Sequence, residues 1–112
     1  MKAEALQKTL NALGMCAGAR KLVIGTPMIC EAMRKSQKPY LVVCANDNAE
    51  NTAKRLSDKC TFYGVPIVTV PVDGDRLAAA VGKQNRVAAV AVTDENLCRL
   101  VRKNLQQQED ES

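Results

Sequence analysis

The chain has 112 residues, 46% of them hydrophobic, which suits one domain with a buried core. It contains no histidine, which excludes the usual catalytic triads and imidazole metal sites, and no apolar run reaches the length of a membrane span. Residues 1–105 carry 16 basic and nine acidic side chains, a net charge of +7 that favours a polyanionic partner.

The N-terminal half predicts two helices and two strands. Leu6, Leu10 and Leu13 recur at helical spacing, which predicts an amphipathic helix that ends near Gly14. A short apolar strand at residues 21–24 and a helix from Pro27 to about Lys35 follow. The continuous apolar run at residues 40–45 then predicts a strand that is covered on both faces.

The C-terminal half continues the alternation. Asn46, Asp47 and Asn48 offer cap side chains for a helix at residues 49–63, and a third strand follows at residues 65–70. Asp73 or Gly74 opens a small alanine-rich helix at residues 75–81. The remaining elements are a fourth strand at residues 86–92, a helix that Thr93 and Asp94 cap and that ends at about residue 105, and a disordered acidic tail at residues 106–112.

This order predicts an α/β protein, a three-layer α/β/α sandwich around a small four-stranded sheet, with residues 1–105 as its single domain. Ligands of such sheets bind outside the carboxyl ends of the strands. The residues that we expect at this edge are Gly25, Thr26 and Pro27, then Asn46, Asp47 and Asn48, then Val70, Pro71, Val72 and Asp73, and finally Thr93 and Asp94.

Cysteine usage indicates a reducing compartment. The five cysteines form no C-x-x-C pair, and each lies in an apolar pattern, so we expect buried, reduced thiols and no metal site. The first residues lack the continuous apolar core of a secretory leader. We therefore expect a cytoplasmic protein without a membrane partner.

Residues that would support catalysis are few. No serine lies on a G-x-S-x-G elbow, and Gly82 and Lys83 lack the rest of a phosphate-binding loop. Asp73 and Asp75 are explained more simply by turn and cap chemistry than as a catalytic carboxylate pair. We expect a protein that is not an enzyme and has no cofactor.

The start of the second helix is the best candidate for a ligand site. A glycine, a threonine cap and a proline at the first helical position mark a helix start at Gly25, Thr26 and Pro27. Such a start presents backbone N–H groups and the positive end of the helix dipole. Basic residues flank it in the sequence, so we expect a nucleic-acid phosphate here; these residues are Arg20, Lys21, Arg34 and Lys35.

The aromatic content narrows the kind of nucleic acid. The chain has only Tyr40, Phe62 and Tyr63, and both tyrosines occupy positions that predict burial. A platform that stacks several single-stranded bases is therefore not evident. A helix start with a short apolar loop suits the backbone of a folded RNA better.

Several segments together resemble the ribosomal protein family L-seven-Ae / L-thirty-e, and most of all its small stand-alone bacterial branch. The resemblance extends from about Leu6 to Leu105. The segments that carry it are the helix start at Gly25 and Thr26, residues 48–60, the strand with Val65 and Pro66, and residues 82–94.

The resemblance implies binding to kink-turn RNA, a sharply bent helix-bulge-helix, by a ribosomal or ribosome-associated protein. It implies that Gly25 and Thr26 contact the RNA backbone and sugars at the helix start, and that Pro27 and Met28 occupy the next RNA-binding positions. It further implies that a loop packs on an extruded nucleotide; this loop is Val70, Pro71 and Val72. It also implies phosphate contacts by two arginines, Arg34 and Arg76.

The chain departs from the family's G-T-N-E helix start and its following lysine. Pro27 has no N–H to donate, Met28 cannot accept from a guanine edge, and Glu31 would repel phosphate. A second interpretation therefore stays open, namely a protein-interaction module on the same fold that has lost kink-turn recognition.

Overall fold

In the computed structural model, which describes residues 2–109, five helices alternate with four strands. The helices are α1 (Ala3–Gly18), α2 (Thr26–Met33), α3 (Glu50–Tyr63), α4 (Gly74–Ala80) and α5 (Glu95–Glu109). The strands are β1 (Leu22–Ile24), β2 (Leu41–Cys44), β3 (Ile67–Thr69) and β4 (Ala89–Val92).

The four strands form one sheet in the order β1-β4-β2-β3. β2 and β3 are parallel, whereas β4 runs antiparallel to both of its neighbours, β1 and β2. The carboxyl ends of β1, β2 and β3 therefore meet the amino end of β4 at one edge of the sheet. We call this edge the rim; it comprises residues 25–28, 45–48, 70–74 and 83–88. The other end of the sheet is the opposite edge; it comprises residues 19–21, 34–40, 59–66 and 93–94.

Two hydrophobic clusters cover the two faces of the sheet. Along β2 the side chains alternate, so that Leu41 and Val43 belong to the cluster under α1, α4 and α5, and Val42 and Cys44 to the cluster under α2 and α3. All four residues of β2 are buried, as the apolar run predicted. This arrangement is the predicted three-layer α/β/α sandwich.

Helix α1 is four residues longer than predicted, because Gly14 is a packing residue and not a terminator. A Cβ atom built on Gly14 would lie 2.8 Å from the backbone oxygen of Ala80, so glycine lets α1 approach α4 closely. The helix ends beyond Gly18, where Arg20 takes a positive φ of 59° and the Lys21 N–H donates to the Cys16 carbonyl at 2.8 Å.

Two other predicted element boundaries differ from those in the structure. β4 starts at Ala89 instead of residue 86, which leaves residues 86–88 in the rim. α5 continues to Glu109, so residues 106–109 of the predicted disordered tail are helical instead. Residues 110–112 of that tail lie outside the described residues.

The five cysteines are buried and free, as the sequence predicted. Burial raises the pKa of the Cys44 and Cys60 thiols to about 11, so both stay protonated at neutral pH. In the described part of the chain, the acidic and cysteine side chains form no group of three that could hold a metal ion. Among residues 2–109, no helix has the length and apolar character needed to cross a bilayer.

The contact between α1 and α4 predicts the effect of a single methyl group. In Gly14→Ala, the new Cβ would press on the Ala80 carbonyl, and such overpacking costs about 1–3 kcal/mol. The higher helix propensity of alanine offsets only about 1 kcal/mol of this cost. We expect a net loss of up to about 2 kcal/mol in the free energy of unfolding, measured by urea denaturation.

Gly18→Ala is the matched control, because the same exchange at the last residue of α1 places a Cβ with no atom within 4 Å. We expect its stability to equal or exceed that of the unmodified protein. Equal stability of the two variants would contradict the close approach of the two helices.

Candidate functional site

The rim begins at the helix start after β1. Gly25 is the N-cap of α2, with a φ of 96° that favours glycine, and its N–H donates to the Ala89 carbonyl at 3.0 Å. Thr26 is the first helical residue and Pro27 the second, so the prediction that Thr26 caps the helix was wrong by one position. The backbone turns into the helix at glycine because only glycine tolerates this φ without strain.

This helix start has two unoccupied hydrogen-bond donors. Among the residues that the structure describes, no side chain caps α2, and the first intrahelical bond runs from the Ile29 N–H to the Gly25 carbonyl at 3.0 Å. Pro27 has no N–H, so Thr26 and Met28 provide the free donors of the first turn; neither is bonded to a described residue. Two free N–H groups at the positive end of a helix dipole can bind an anion.

Thr26 lines an open groove of about 370 Å³, and Met28 directly follows the last residue of the wall that Thr26 belongs to. One wall is the helix start, residues 24–27, and the other is the segment that precedes β4, residues 83–88. Sequence reasoning did not place this second wall in the site, because it lies almost 60 residues away and was assigned in part to a strand. The antiparallel direction of β4 brings it to Gly25.

Arg86 joins three segments of the rim. Its Nη2 donates to Asp47 Oδ1 at 2.5 Å and to Asn48 Oδ1 at 3.0 Å. The stem of the same side chain lies over Gly74, where an added Cβ would collide with it, and the Val87 N–H donates to the Gly74 carbonyl at 3.0 Å. Glycine at position 74 therefore makes room for the arginine.

Asp47 and Asn48 fix loops and do not cap α3. The N-cap of that helix is Ala49 and lacks a side-chain hydrogen bond, so the predicted cap role was wrong. Instead, Asp47 Oδ1 accepts from the Gly74 N–H at 2.9 Å, and the Asn48 amide donates to the Ala88 carbonyl at 3.0 Å. These bonds connect the segments that follow β2 and β3 with the segment that precedes β4.

The ionisation of Asp47 depends on these partners. Partial desolvation raises the pKa of its carboxyl group, but the hydrogen bonds from Arg86 and from the Gly74 N–H, together with the charge of Arg86, outweigh it. The net effect is a pKa below the ordinary value of 3.8. Asp47 therefore remains a carboxylate at neutral pH and neutralises Arg86.

The cations at the groove are not those that the sequence suggested. Lys83 lines the groove and forms no salt bridge with a described residue, whereas Arg86 is paired with Asp47. Arg20 and Lys21 precede β1, so about 13 Å of extended chain separates Lys21 from Gly25. They belong to the opposite edge.

Other predicted members of the site also lie at the opposite edge. Arg34 and Lys35 follow the last residue of α2, about 12 Å along the helix from its start. Thr93 and Asp94 follow β4, which ends at the opposite edge because it is antiparallel. There Asp94 accepts from the Leu97 N–H at 2.9 Å and caps α5, as predicted.

The loop after β3 reaches the rim with one exposed side chain. Val70 and Val72 are buried in the hydrophobic core, whereas Pro71 is exposed. Of these three residues, only Pro71 has a side chain that a nucleotide could contact. Asp73 caps α4 by accepting from the Arg76 N–H at 2.8 Å, as predicted, and Arg76 itself lines a separate groove with Gln7 of α1.

The Asp47 carboxylate predicts a change of stability with pH. Because its pKa is lower in the folded protein, its contribution is present above about pH 4, the value of the unfolded chain, and is lost as the pH falls through the folded value. We expect Asp47→Asn to be less stable than the unmodified protein at pH 7, and we expect this difference to shrink at pH 2. Urea denaturation at both pH values measures this difference.

Asp58→Asn is the control, because Asp58 is exposed on α3 and forms no salt bridge with a described residue. We expect this control to show little effect at pH 7. A destabilisation of Asp47→Asn that persists unchanged at pH 2 would contradict a charge-dependent role for Asp47.

Comparison with known proteins identifies related sequences. The profile of the family described as "Ribosomal protein L7Ae/L30e/S12e/Gadd45 family" matches residues 7–101. The chain is 39% identical to the "RNA-binding protein YlxQ" of Bacillus subtilis (strain 168) over 83 residues, which are 74% of this chain and 80% of that protein. It is 31% identical to the protein of the same name in Enterococcus faecium, over 75% of this chain and 80% of that protein.

Solved structures with the same fold agree with these matches. A protein of unknown function from Bacillus halodurans C superposes with a TM-score of 0.78 at 32% identity, over 88% of this chain and 97% of that one. The "Giardia lamblia 15.5kD RNA binding protein" superposes with a TM-score of 0.77 at 18% identity, over 98% of this chain and 92% of that one. At this low identity the second likeness concerns the fold alone.

Proposed function

Because the chain belongs to the L7Ae/L30e/S12e/Gadd45 family of ribosomal proteins, we propose that it binds folded RNA through the rim. The sequence relatives in Bacillus subtilis and Enterococcus faecium are both named as RNA-binding proteins. Their names describe binding and not catalysis, in agreement with the expectation that the chain is not an enzyme. The proposed setting is the cytoplasm, on ribosomal or ribosome-associated RNA.

The observation that carries this proposal is the pair of free N–H groups beside a cation. The Thr26 and Met28 amides have no acceptor among the described residues, and Lys83 lines the same groove. An RNA phosphate satisfies both kinds of group, because it accepts hydrogen bonds from backbone amides and attracts the lysine charge.

A kink-turn is the RNA shape that we propose. Gly25 has no side chain, so a sugar-phosphate backbone can approach the start of α2 closely. Pro71 is exposed at the same rim, where it can pack on a nucleotide that is extruded from the bend. A bent RNA can reach both positions, whereas a straight duplex presents a uniform convex surface.

Met28 supports the second candidate, a protein-interaction module that has lost kink-turn recognition. Its side chain is 55% exposed at the helix start, next to the exposed Pro27. Methionine and proline form an apolar surface that a protein partner can cover. Glu31 on the same helix is exposed and would repel RNA.

Lys83 tests the proposed RNA site. We expect the protein to prefer a kink-turn RNA over a plain duplex of equal length, with an affinity that falls steeply as salt rises. Lys83→Ala should weaken kink-turn binding on the order of tenfold and lower the salt slope by about one, because one phosphate contact is lost. Fluorescence anisotropy with labelled RNA between 50 and 300 mM salt measures both effects, because the Debye length falls from about 14 Å to about 6 Å over this range.

Arg102→Ala is the matched control, since Arg102 is exposed on α5, away from the groove, and forms no salt bridge with a described residue. It removes the same charge and should change affinity by less than about twofold. Equal affinity for the bent RNA and the duplex would favour the protein-interaction module.

The inherited docking mode predicts a gain of function. Pro27→Asn, Met28→Glu and Glu31→Lys together restore a backbone donor, an acceptor for a guanine edge and a cation for phosphate. We expect the triple variant to bind kink-turn RNA at least about tenfold more tightly, in the same anisotropy assay. Unchanged affinity in a folded triple variant would show that the RNA does not dock on this helix start.

A further inference from the structure

We infer that a second RNA contact lies at the opposite edge, where one single-stranded base stacks on Phe62 and nearby basic side chains hold the flanking phosphates. This inference goes beyond the proposed function, because it concerns a different surface and a different form of RNA. We call the surface the aromatic-basic patch; its residues are Arg34, Lys35, Lys38, Lys59, Phe62 and Tyr63.

Contacts join the centre of this patch. The Phe62 and Tyr63 rings meet edge to face with centroids 4.8 Å apart, and Lys38 Nζ lies 5.4 Å from the Tyr63 centroid. The same Nζ donates to the Lys35 carbonyl at 3.1 Å. The residues after α2 and the last turn of α3 thus form one continuous surface.

Phe62 is the unusual residue of the patch. Its side chain is 80% exposed, although it is the only phenylalanine in the chain, whereas Tyr63 is half-buried against the core cluster under α2 and α3. Tyr63 holds the Phe62 ring through an edge-to-face contact, and most of the Phe62 side chain stays open to solvent. An open aromatic face on a fixed support is what a nucleic-acid base stacks on.

The chain segments that form the patch carry four cations. Arg34, Lys35 and Lys38 follow α2, and Lys59 lies one turn before Phe62 on α3; none of the four forms a salt bridge with a described residue. Two exposed acids face the patch from the same helices, Glu31 one turn before Arg34 and Asp58 one turn before Phe62. The balance of four cations against two acids leaves the patch positive.

One nucleotide cannot contact both Phe62 and the rim. Helix α3 has 14 residues, which separate its start near the rim from Phe62 by about 20 Å. An RNA segment on Phe62 is therefore either a distant part of the same RNA or a second molecule. The protein would then hold two RNA segments at opposite ends of the sheet.

The composition of the patch favours RNA over a protein partner. Lysine is depleted at protein-protein interfaces, and a single exposed phenylalanine provides much less apolar area than a stable interface buries. Stacking on an aromatic ring combined with lysine contacts to phosphates is the usual chemistry of single-strand binding.

Direct binding of a short RNA tests the patch. We would titrate the full chain into a labelled single-stranded RNA octamer at 50 mM salt and measure anisotropy. Phe62→Ala should weaken binding on the order of tenfold through lost stacking, and Phe62→Tyr should retain it. The double variant Lys35→Ala/Lys38→Ala should weaken binding to a similar degree. In titrations repeated between 50 and 300 mM salt it should also lower the salt slope by about 1.4, because each phosphate contact to a single strand contributes about 0.7.

Arg102→Ala/Lys103→Ala is the matched control, because it removes two exposed charges on α5, and it should leave octamer binding within about twofold. No octamer binding, an unaffected Phe62→Ala variant, or an equal loss in the control would overturn the inference. Displacement of the octamer by polyglutamate at equal charge concentration would also overturn it, in favour of an acidic protein partner.

The two RNA proposals can fail separately. If kink-turn binding is absent and the octamer results hold, the rim proposal fails and the patch stands. If Lys83→Ala weakens kink-turn binding while every patch variant binds the octamer like the unmodified protein, the patch inference fails and the rim proposal stands.

Discussion

The direction of β4 determines which residues meet at the rim. β4 lies in the interior of the sheet between β1 and β2 and is antiparallel to both. The carbonyl of its first residue, Ala89, accepts from the Gly25 N–H at 3.0 Å, and the carbonyl of the preceding Ala88 accepts from the Ala45 N–H at 2.9 Å. These ladder bonds place Lys83 and Arg86 opposite the start of α2, and they send the residues after β4 to the other end of the molecule.

The Arg86 side chain connects separate rim loops into one surface. A partly exposed ion pair contributes little stability by itself, so the pairing of Arg86 with Asp47 and Asn48 matters mainly for position. It holds the second wall of the groove against the loop of Gly74 and cancels the arginine charge. The unpaired Lys83 and the backbone donors of α2 then determine how the groove attracts an anion.

The layers of the fold could be predicted from the sequence because burial imposes periodicity. The site could be predicted only in part, since its second wall depends on strand direction, which periodicity does not encode. Lys21 is four residues from Gly25 in the sequence, but an extended strand separates them, whereas Lys83 is distant in sequence and lies beside the groove. The prediction that α1 ends near Gly14 was wrong for a related reason. In a sequence, a glycine that ends a helix cannot be distinguished from one that lets two helices pack closely.

Helix direction explains why both ends of the molecule suit an anion. The rim offers backbone N–H groups, and the opposite edge offers cationic side chains. α2 and α3 both start at the rim and end at the opposite edge, so free N–H groups collect at the rim and carbonyl groups at the other end. Cations after a helix are expected from the dipole alone, and Lys38 indeed donates to the Lys35 carbonyl. The dipole gives no reason for an exposed phenylalanine, whose burial would remove apolar area from water. Phe62, more than the lysines around it, is therefore the residue that indicates a ligand at the opposite edge.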